Sequence, residues 1–260
     1  MKISVVTVCY NAVREIEGTM LSVLNQTYPD VEYIVIDGGS TDGTVDIIKK
    51  YAPRLAYWVS EPDKGIFDAM NKGITHSSGE YLNFMNAGDK FHSPHVISDF
   101  FEKRHSFPDF IAGIAILKKE SKIPLIWEPV RTNFTLSEVI NGGACNHQSC
   151  FIKETVIQSG YPLEYGIIAD ELLFLEKVAF DKSSYERLLK PVAVYDISGV
   201  SNDETSTNKI RQSRVDFLKK YLSDKDISAL ARKSSRPFYP HRILRKAHRC
   251  FLRLKLLFVL

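Results

Sequence analysis

The sequence predicts an α/β fold with a mixed, largely parallel sheet flanked by helices, and three observations carry that prediction. Residues 3–10 and 33–37 are apolar, β-branched runs of strand length without alternation, the pattern of central strands buried on both faces. Segments of helical periodicity separate the strand-like runs in a strand–helix–strand–helix rhythm, which implies right-handed βαβ units. Two of the runs lead into a carboxylate, Asp37 and Asp89, and open α/β sheets bind ligands past the carboxyl ends of their strands.

The first strand, residues 3–10, stops at Asn11-Ala12. A helix over residues 15–25 follows, with Ile16, Met20, Val23 and Leu24 inward. The second strand, 33–37, runs into Gly38-Gly39-Ser40-Thr41-Asp42-Gly43-Thr44, where glycine and small hydroxyl residues let a ligand approach the backbone closely. A helix over 45–51 returns the chain to a third strand at 55–59. Ser60-Glu61-Pro62-Asp63-Lys64-Gly65 carries both signs of charge and two backbone breakers, so it is expected to be an exposed turn entering a helix. In that helix Ile66, Met70 and Ile74 are expected to form the buried stripe, while Asp68 and Asn71 share another face. The fourth strand, 81–85, ends in Asn86-Ala87-Gly88-Asp89.

The rhythm weakens after Asp89. Residues 109–118 and 123–130 read as an antiparallel pair of strands and 134–140 as a short helix; Gly142-Gly143 opens a loop containing Cys145-Asn146-His147-Gln148. Residues 151–157, a helix over 168–180 that begins near Asp170-Glu171, and a strand over 191–200 complete the second half, followed by a helix over 211–221 and a break at 234–240. Residues 1–205 are thus expected to form one domain with halves at 1–90 and 91–205, and 206–260 a C-terminal helical, basic amphipathic tail.

Composition bounds the function. An apolar content of 44% is ordinary for a soluble chain, and 260 residues can bury a full core. Cys9, Cys145, Cys150 and Cys250 show neither zinc-like spacing nor a disulfide framework, which fits a reducing cytosol. The first strand begins too early for a signal peptide, and no apolar run approaches the ~20 residues that span a bilayer. The net charge of +3 is unevenly spread: nine Lys or Arg and no acids lie from Ile227 onward, leaving 25 bases against 31 acids before it. Within that tail Ile243, Leu244, Ala247, Cys250, Phe251, Leu254, Leu257 and Phe258 share one helical face, and Arg242, Arg245, Lys246, Arg249 and Arg253 an adjoining one, the pattern of a helix lying on an anionic membrane surface. Nucleic acid is not the expected partner, because apolar residues interleave with the bases and no aromatic platform is visible.

The strand-end carboxylates suit a nucleotide and a metal. An ionised Asp37 accepts two hydrogen bonds from a base edge or ribose. Asp89 is the candidate ligand for Mg2+ or Mn2+, which needs only one or two protein carboxylates when diphosphate oxygens supply the rest. Asp170, at a helix start, is a candidate general base for an attacking hydroxyl. The structural alternatives are that Asp37 begins a turn, that Asp89 caps the helix after it, that Asp170 is an N-terminal acid favoured by the helix dipole, and that His147 is a structural histidine.

Several ordered motifs resemble family 2 glycosyltransferases of the GT-A fold: Ser4 through Thr7 to Asn11, Asp37 to Thr44, Glu61-Pro62-Asp63-Lys64-Gly65, Ala69-Met70-Asn71 and Gly79-Glu80-Tyr81, within a similarity covering residues 3–201. The resemblance implies a Rossmann-like mixed sheet and an inverting enzyme of the kind found in bacterial exopolysaccharide and lipopolysaccharide assembly. Such an enzyme moves a sugar from a nucleotide-diphosphate donor, here a UDP-sugar, to a hydroxyl of a lipid-linked or growing glycan. It further implies that Thr7 and Asn11 line the nucleoside pocket and that Asp37, followed by Gly38, reads the base. Asp63 and Asn71 would border the nucleotide, and His147-Gln148 would lie on the acceptor side. Asp170 would be the base, with residues 1–90 the donor half and 91–205 the acceptor half. The family's usual metal strand ends in an Asp-x-Asp-Asp-like motif, and Asn86-Ala87-Gly88-Asp89 keeps only the last carboxylate, which implies weaker or more substrate-dependent metal binding. The location implied is cytoplasmic, peripheral at the inner membrane face.

Three rivals remain. A sugar nucleotidyltransferase should carry a Gly-rich, basic phosphate loop after the first strand, and Asn11-Ala12-Val13-Arg14 is not one; a dinucleotide oxidoreductase lacks its G-x-G-x-x-G. A catalytically silent nucleotide-sugar-binding scaffold is separated only by turnover.

Overall fold

The computed structural model describes residues 1–118, 125–136, 146–196 and 207–233. Its centre is β1 (Ile3–Cys9), buried at every position, flanked in parallel by β2 (Val31–Asp37) and β4 (Tyr81–Phe84). β3 (Tyr57–Ser60) adds to β2, also in parallel, giving the order β3-β2-β1-β4. The β-branched density of residues 3–8 and 34–36 suits strands covered on both sides. α1 (Ile16–Leu24) and α2 (Thr44–Tyr51) cover one face through Ile16, Met20, Val23 and Ile48, and α3 (Ile66–Thr75) covers the other through Phe67, Ala69, Met70 and Ile74. All four C-terminal strand ends therefore point to one edge, and the order reverses between β1 and β4, where a crevice for a ligand opens.

The second half continues the same sheet. β8 (Cys150–Lys153) runs antiparallel to β4, and β6 (Phe110–Lys118) antiparallel to β8. β9 (Tyr185–Asp196) lies parallel to β6, β5 (Lys90–Phe91) antiparallel to β9, and β7 (Leu125–Trp127) antiparallel to β6. β4 and β5 are joined by a tight turn, closed by Asp89 N donating to Asn86 O at 3.0 Å, yet stand fourth and last in the order. The sheet must curl to bring its far edge back beside β4.

Two expectations are corrected. Ile66 is 42% exposed and Phe67 takes the inner position at 6%, because the helix begins at Ile66 and its apolar stripe runs Phe67, Met70, Ile74. β9 starts six residues before Pro191. A register shift between Ala112 and Ile114 accommodates Pro191, which lacks the N–H a regular ladder would use. At the start of the C-terminal segment, α7 (Thr207–Leu218) sinks Phe217 and Leu218 into the main core, Phe217 against Tyr165 and Phe180. A further helix, α8 (Asp224–Lys233), follows.

The antiparallel pair β6–β7 agrees with the sequence reading. Cys9 and Cys150 are buried free thiols. Residues 137–140, Cys145, residues 197–206 and the basic tail from 234, with its surface-binding face, lie outside the described residues.

Candidate active site

The loop after β2 is built around Asp37. Its Oδ2 accepts Gly39 N at 3.1 Å, Ser40 N at 2.9 Å and Ser60 Oγ at 2.6 Å; its Oδ1 accepts Ser40 Oγ at 2.5 Å and Cys9 Sγ at 3.4 Å. Burial pushes this carboxyl up, but the bonds from Ser40, Ser60 and Cys9 outweigh it and hold it below the usual range. A carboxylate has about four lone-pair sites, and five donors already use them. Fully buried, with its acceptor sites taken up inside the chain, Asp37 organises the loop, and reading a base as expected from the sequence would require giving up one of these bonds.

The group free to do so is Asp63. Its Oδ1 accepts Gly65 N at 2.8 Å, and its Oδ2, with no hydrogen-bond partner among the described residues, sits against Gly38. A Cβ on Gly38 would stand 2.5 Å from that oxygen and 3.4 Å from the ring of Tyr10, itself 66% exposed. Glycine at 38 is thus what lets a carboxylate and an aromatic ring share the mouth of the crevice. Asn11, at φ 45°, lies on the same rim: its N donates to Ser40 Oγ at 2.7 Å and its Oδ1 accepts Thr41 N at 3.0 Å. Asp42 takes Val13 N and the Thr44 hydroxyl, closing the loop onto the start of α1.

Two other expected site residues are engaged inside the chain. Thr7 is fully buried, its hydroxyl donating to Met85 O at 2.7 Å beside Tyr33 Oη, so it ties β1 to the end of β4 instead of lining a pocket. Asn71 is paired at both ends of its amide with one backbone unit: Nδ2 donates to Tyr161 O at 3.0 Å and Oδ1 accepts Tyr161 N at 2.7 Å. It clamps the Gly160 turn to α3 and, half-buried, keeps a second N–H on its amide.

At the end of β4 the turn Asn86–Asp89 is held by a residue that sequence reasoning overlooked. Thr19 of α1, fully buried, accepts Gly88 N at 3.0 Å and donates to Asp89 O at 2.7 Å. Gly88 takes φ 100°, a conformation that favours glycine.

A 3₁₀ turn at His147–Ser149 faces this one across the crevice and joins its carboxylate to Asp170. Gln148 Nε2 donates to Asp89 Oδ2 at 2.7 Å, and His147 Nδ1 lies 2.7 Å from Asp170 Oδ2. Asn146 Oδ1 caps the turn at Gln148 N, and Asn83 Nδ2 donates to the carbonyls of Gln148 and Cys150. Asp170 opens the helix α6 (Ala169–Phe174), and its Oδ1 accepts Glu171 N at 2.9 Å. Next to it Glu171 is bound by Arg214 of α7 through two bonds of 2.7 Å; burial pushes its carboxyl up, more than Arg214 pulls it down. Of the three candidate acids Asp37, Asp89 and Asp170, the last two share this junction. Asp37 stands two strands away, about 10 Å across the sheet.

Among the described residues no three His, Cys, Asp or Glu side chains could hold a metal by themselves. Asp89 offers one carboxylate, and the buried amide oxygens Asn86 Oδ1 and Gln148 Oε1 have no hydrogen-bond partner. One carboxylate with neutral oxygens beside it fits Mg2+ or Mn2+ when a diphosphate supplies the other ligands.

Comparison with known proteins gives a consistent picture. A family model described as Glycosyl transferase family 2 matches residues 4–148. An uncharacterized glycosyltransferase of Mycobacterium tuberculosis is 33% identical over 189 residues, 66% of this chain and 67% of that protein. A PGL/p-HBAD biosynthesis glycosyltransferase of Mycobacterium bovis is 27% identical over 174 residues, 64% of this chain and 66% of the relative. Among solved structures, S. aureus TarS 1–349 in complex with UDP-GlcNAc superimposes with a TM-score of 0.64 at 18% identity, covering 90% of this chain and 71% of that one. The mannosyltransferase PcManGT from Pyrobaculum calidifontis, in complex with GDP-Man and Mn2+, gives 0.63 at 17%, covering 90% and 69%. The chain spans only 43% of a longer TarS chain, to which it is similar with a TM-score of 0.65. The curled mixed sheet is that of GT-A glycosyltransferases.

Proposed function

The chain belongs to glycosyl transferase family 2 and is a glycosyltransferase, and from that premise we propose that it moves a sugar from a UDP-sugar to a hydroxyl of a lipid-linked or growing cell-wall glycan, inverting the anomeric centre. The observation that carries this reading is the junction at residues 147–148, where consecutive side chains hold Asp89 on the donor side and Asp170 on the acceptor side. The names of a PGL/p-HBAD biosynthesis relative and a putative teichuronic acid biosynthesis relative support cell-wall glycans as the product class.

In this reading the nucleobase lies between Tyr10 and the Gly38 backbone, with Asp63 Oδ2 accepting a ring N–H. A carboxylate that only accepts favours a base with an imide N–H, such as uracil. Asn11 and the Ser40–Thr41 backbone border the ribose. Asp89, with the amide oxygens of Asn86 and Gln148 beside it, would hold Mg2+ or Mn2+; when bound, that ion supplies positive charge to the departing diphosphate. Asp170 takes the proton of the acceptor hydroxyl as its oxygen attacks the anomeric carbon from the face opposite the diphosphate. A single displacement needs no protein nucleophile.

No helix among the described residues is long and apolar enough to cross a membrane. Attachment to the inner membrane face is assigned to the basic, apolar-striped segment 238–260, and deleting it should release the protein from anionic vesicles. The function itself is tested by measuring depletion of UDP-, GDP- and dTDP-sugars with and without manganese. Turnover of UDP-sugars, lost in Asp170→Asn, supports it; a wild-type protein that binds UDP-sugar without turning it over is a scaffold.

A further inference from the structure

His147 stands between the two sides of the site, and its bonds restrict what it can do. Nδ1 is 2.7 Å from Asp170 Oδ2, and Nε2 is 3.0 Å from Asn86 Nδ2, an amide donor. With an N–H facing Nε2, the ring carries its proton on Nδ1 and donates it to Asp170. Nε2 is therefore occupied as an acceptor, so His147 is not itself placed to take a proton from substrate. The ring is 12% exposed, with the edge of Phe67 against it at 6.5 Å between centroids. Its backbone is fixed by the Asn146 cap and by Asn83, and the Asn86 end of the chain is fixed by the turn that Thr19 holds.

We propose that His147 is a positioning residue: it locks the Asp170 carboxylate to the Asn86–Asp89 turn, so that the group receiving the acceptor proton keeps a set place relative to the donor diphosphate. The inference rests on the reading of Asp170 as general base and deepens it. Asp170 is 21% exposed and is held by one N–H at each oxygen, Glu171 N at Oδ1 and His147 Nδ1 at Oδ2, which leaves a lone pair on each for the incoming hydroxyl. During transfer the acceptor O–H bond breaks and its proton goes to Asp170. The oxygen bonds to the anomeric carbon, the bond from that carbon to the diphosphate breaks with its electron pair, and His147 keeps its own proton throughout. Orientation held in this way is what a misplaced base forfeits: displacement by about 1 Å is enough to cost on the order of 100-fold.

The pairing is tested without activity by long-range 1H–15N correlation on the histidine-labelled full chain. The expected result is an Nδ1–H tautomer with a downfield, slowly exchanging proton that disappears in both His147→Asn and Asp170→Asn. An Nε2–H tautomer, or a resonance unmoved by Asp170→Asn, would overturn it. Its consequence is read from kinetics on UDP-sugar. Asn at 147 can present its Nδ2 where His presents Nδ1, whereas Gln reaches toward Asn86 instead. His147→Gln and His147→Ala should lose roughly 10–100-fold in kcat with donor KM and UDP affinity unchanged, and His147→Asn should recover a large part of that loss. Wild-type kcat in His147→Ala, or no advantage of Asn over Gln, would end the proposal. If Asp170→Asn turns over normally the general-base reading is what fails; if it is dead while His147→Ala keeps wild-type kcat, only the positioning role fails.

Discussion

Asp89 Oδ2 and Gln148 Nε2, 59 residues apart in the chain, are joined by a 2.7 Å hydrogen bond in which both side chains are buried, at 4% and 2% exposure. The bond ties the turn after β4 to the 3₁₀ turn before β8, and through His147 to the start of α6. Donor-side and acceptor-side groups thereby sit on rigid, buried supports.

Gln148→Met keeps the volume and removes the amide. A hydrogen bond to a charged group is worth about 1.5–3 kcal/mol, so kcat/KM for the donor should fall roughly 10–100-fold while the fold is retained. Steady-state kinetics together with a thermal melt check this; unchanged kinetics would show that the bond is incidental.

Asp37→Asn distinguishes a loop organiser from a base reader. The carboxyl is held below its usual range in the folded protein, so its stabilising contribution is present above its unfolded value, about 3.9, and is lost as pH falls through the lower folded value. Denaturant titrations from pH 7 to 3 should show Asp37→Asn less stable by about 2 kcal/mol at pH 7, with the gap closing below pH ~4. A direct base reader would instead lose donor affinity with no change in stability.

Arg214→Met leaves the Glu171 carboxylate without its bidentate partner next to Asp170. The pair is partly buried, and losing its hydrogen bonds between charged groups costs about 1.5–3 kcal/mol. Burial already raises Glu171, and without the pull of Arg214 its folded value moves further up. The folded variant then binds a proton more tightly than the unfolded chain, so its deficit is greatest at neutral pH and shrinks as pH falls through that raised value. Urea unfolding at pH 8, 7, 6 and 5 measures it; a deficit that grows on acidification would reverse the sign of the account.

Much of this site was legible in the sequence, and what was not has physical causes. Residues 3–8 and 81–84 announce buried strands, so the edge carrying Asp89 could be read from periodicity and the strand–helix rhythm. The bonds inside the Asp37 loop were not legible because a carboxylate followed by Gly-Gly-Ser-Thr looks the same whether the hydroxyls serve it or serve a ligand. The clamp made by Asn71 was not legible because its partner, Tyr161, lies 90 residues away. Thr19 was overlooked because a threonine on the inner face of a helix reads as packing, and only its bonds to Gly88 and Asp89 show otherwise. Ile66 and Phe67 differ by one helical position, about 100° of rotation, which a boundary uncertain by a residue or two cannot resolve.

The central claim is that Asp89 serves the donor and Asp170 the acceptor at one site. Calorimetric titration of UDP in manganese, paired with UDP-sugar turnover, on wild type, Asp89→Asn and Asp170→Asn tests it most directly. Asp170→Asn should bind UDP as wild type does while turnover falls by at least ~100-fold, and Asp89→Asn should lose both. Wild-type turnover in Asp170→Asn, or wild-type UDP affinity and turnover in Asp89→Asn, would contradict it.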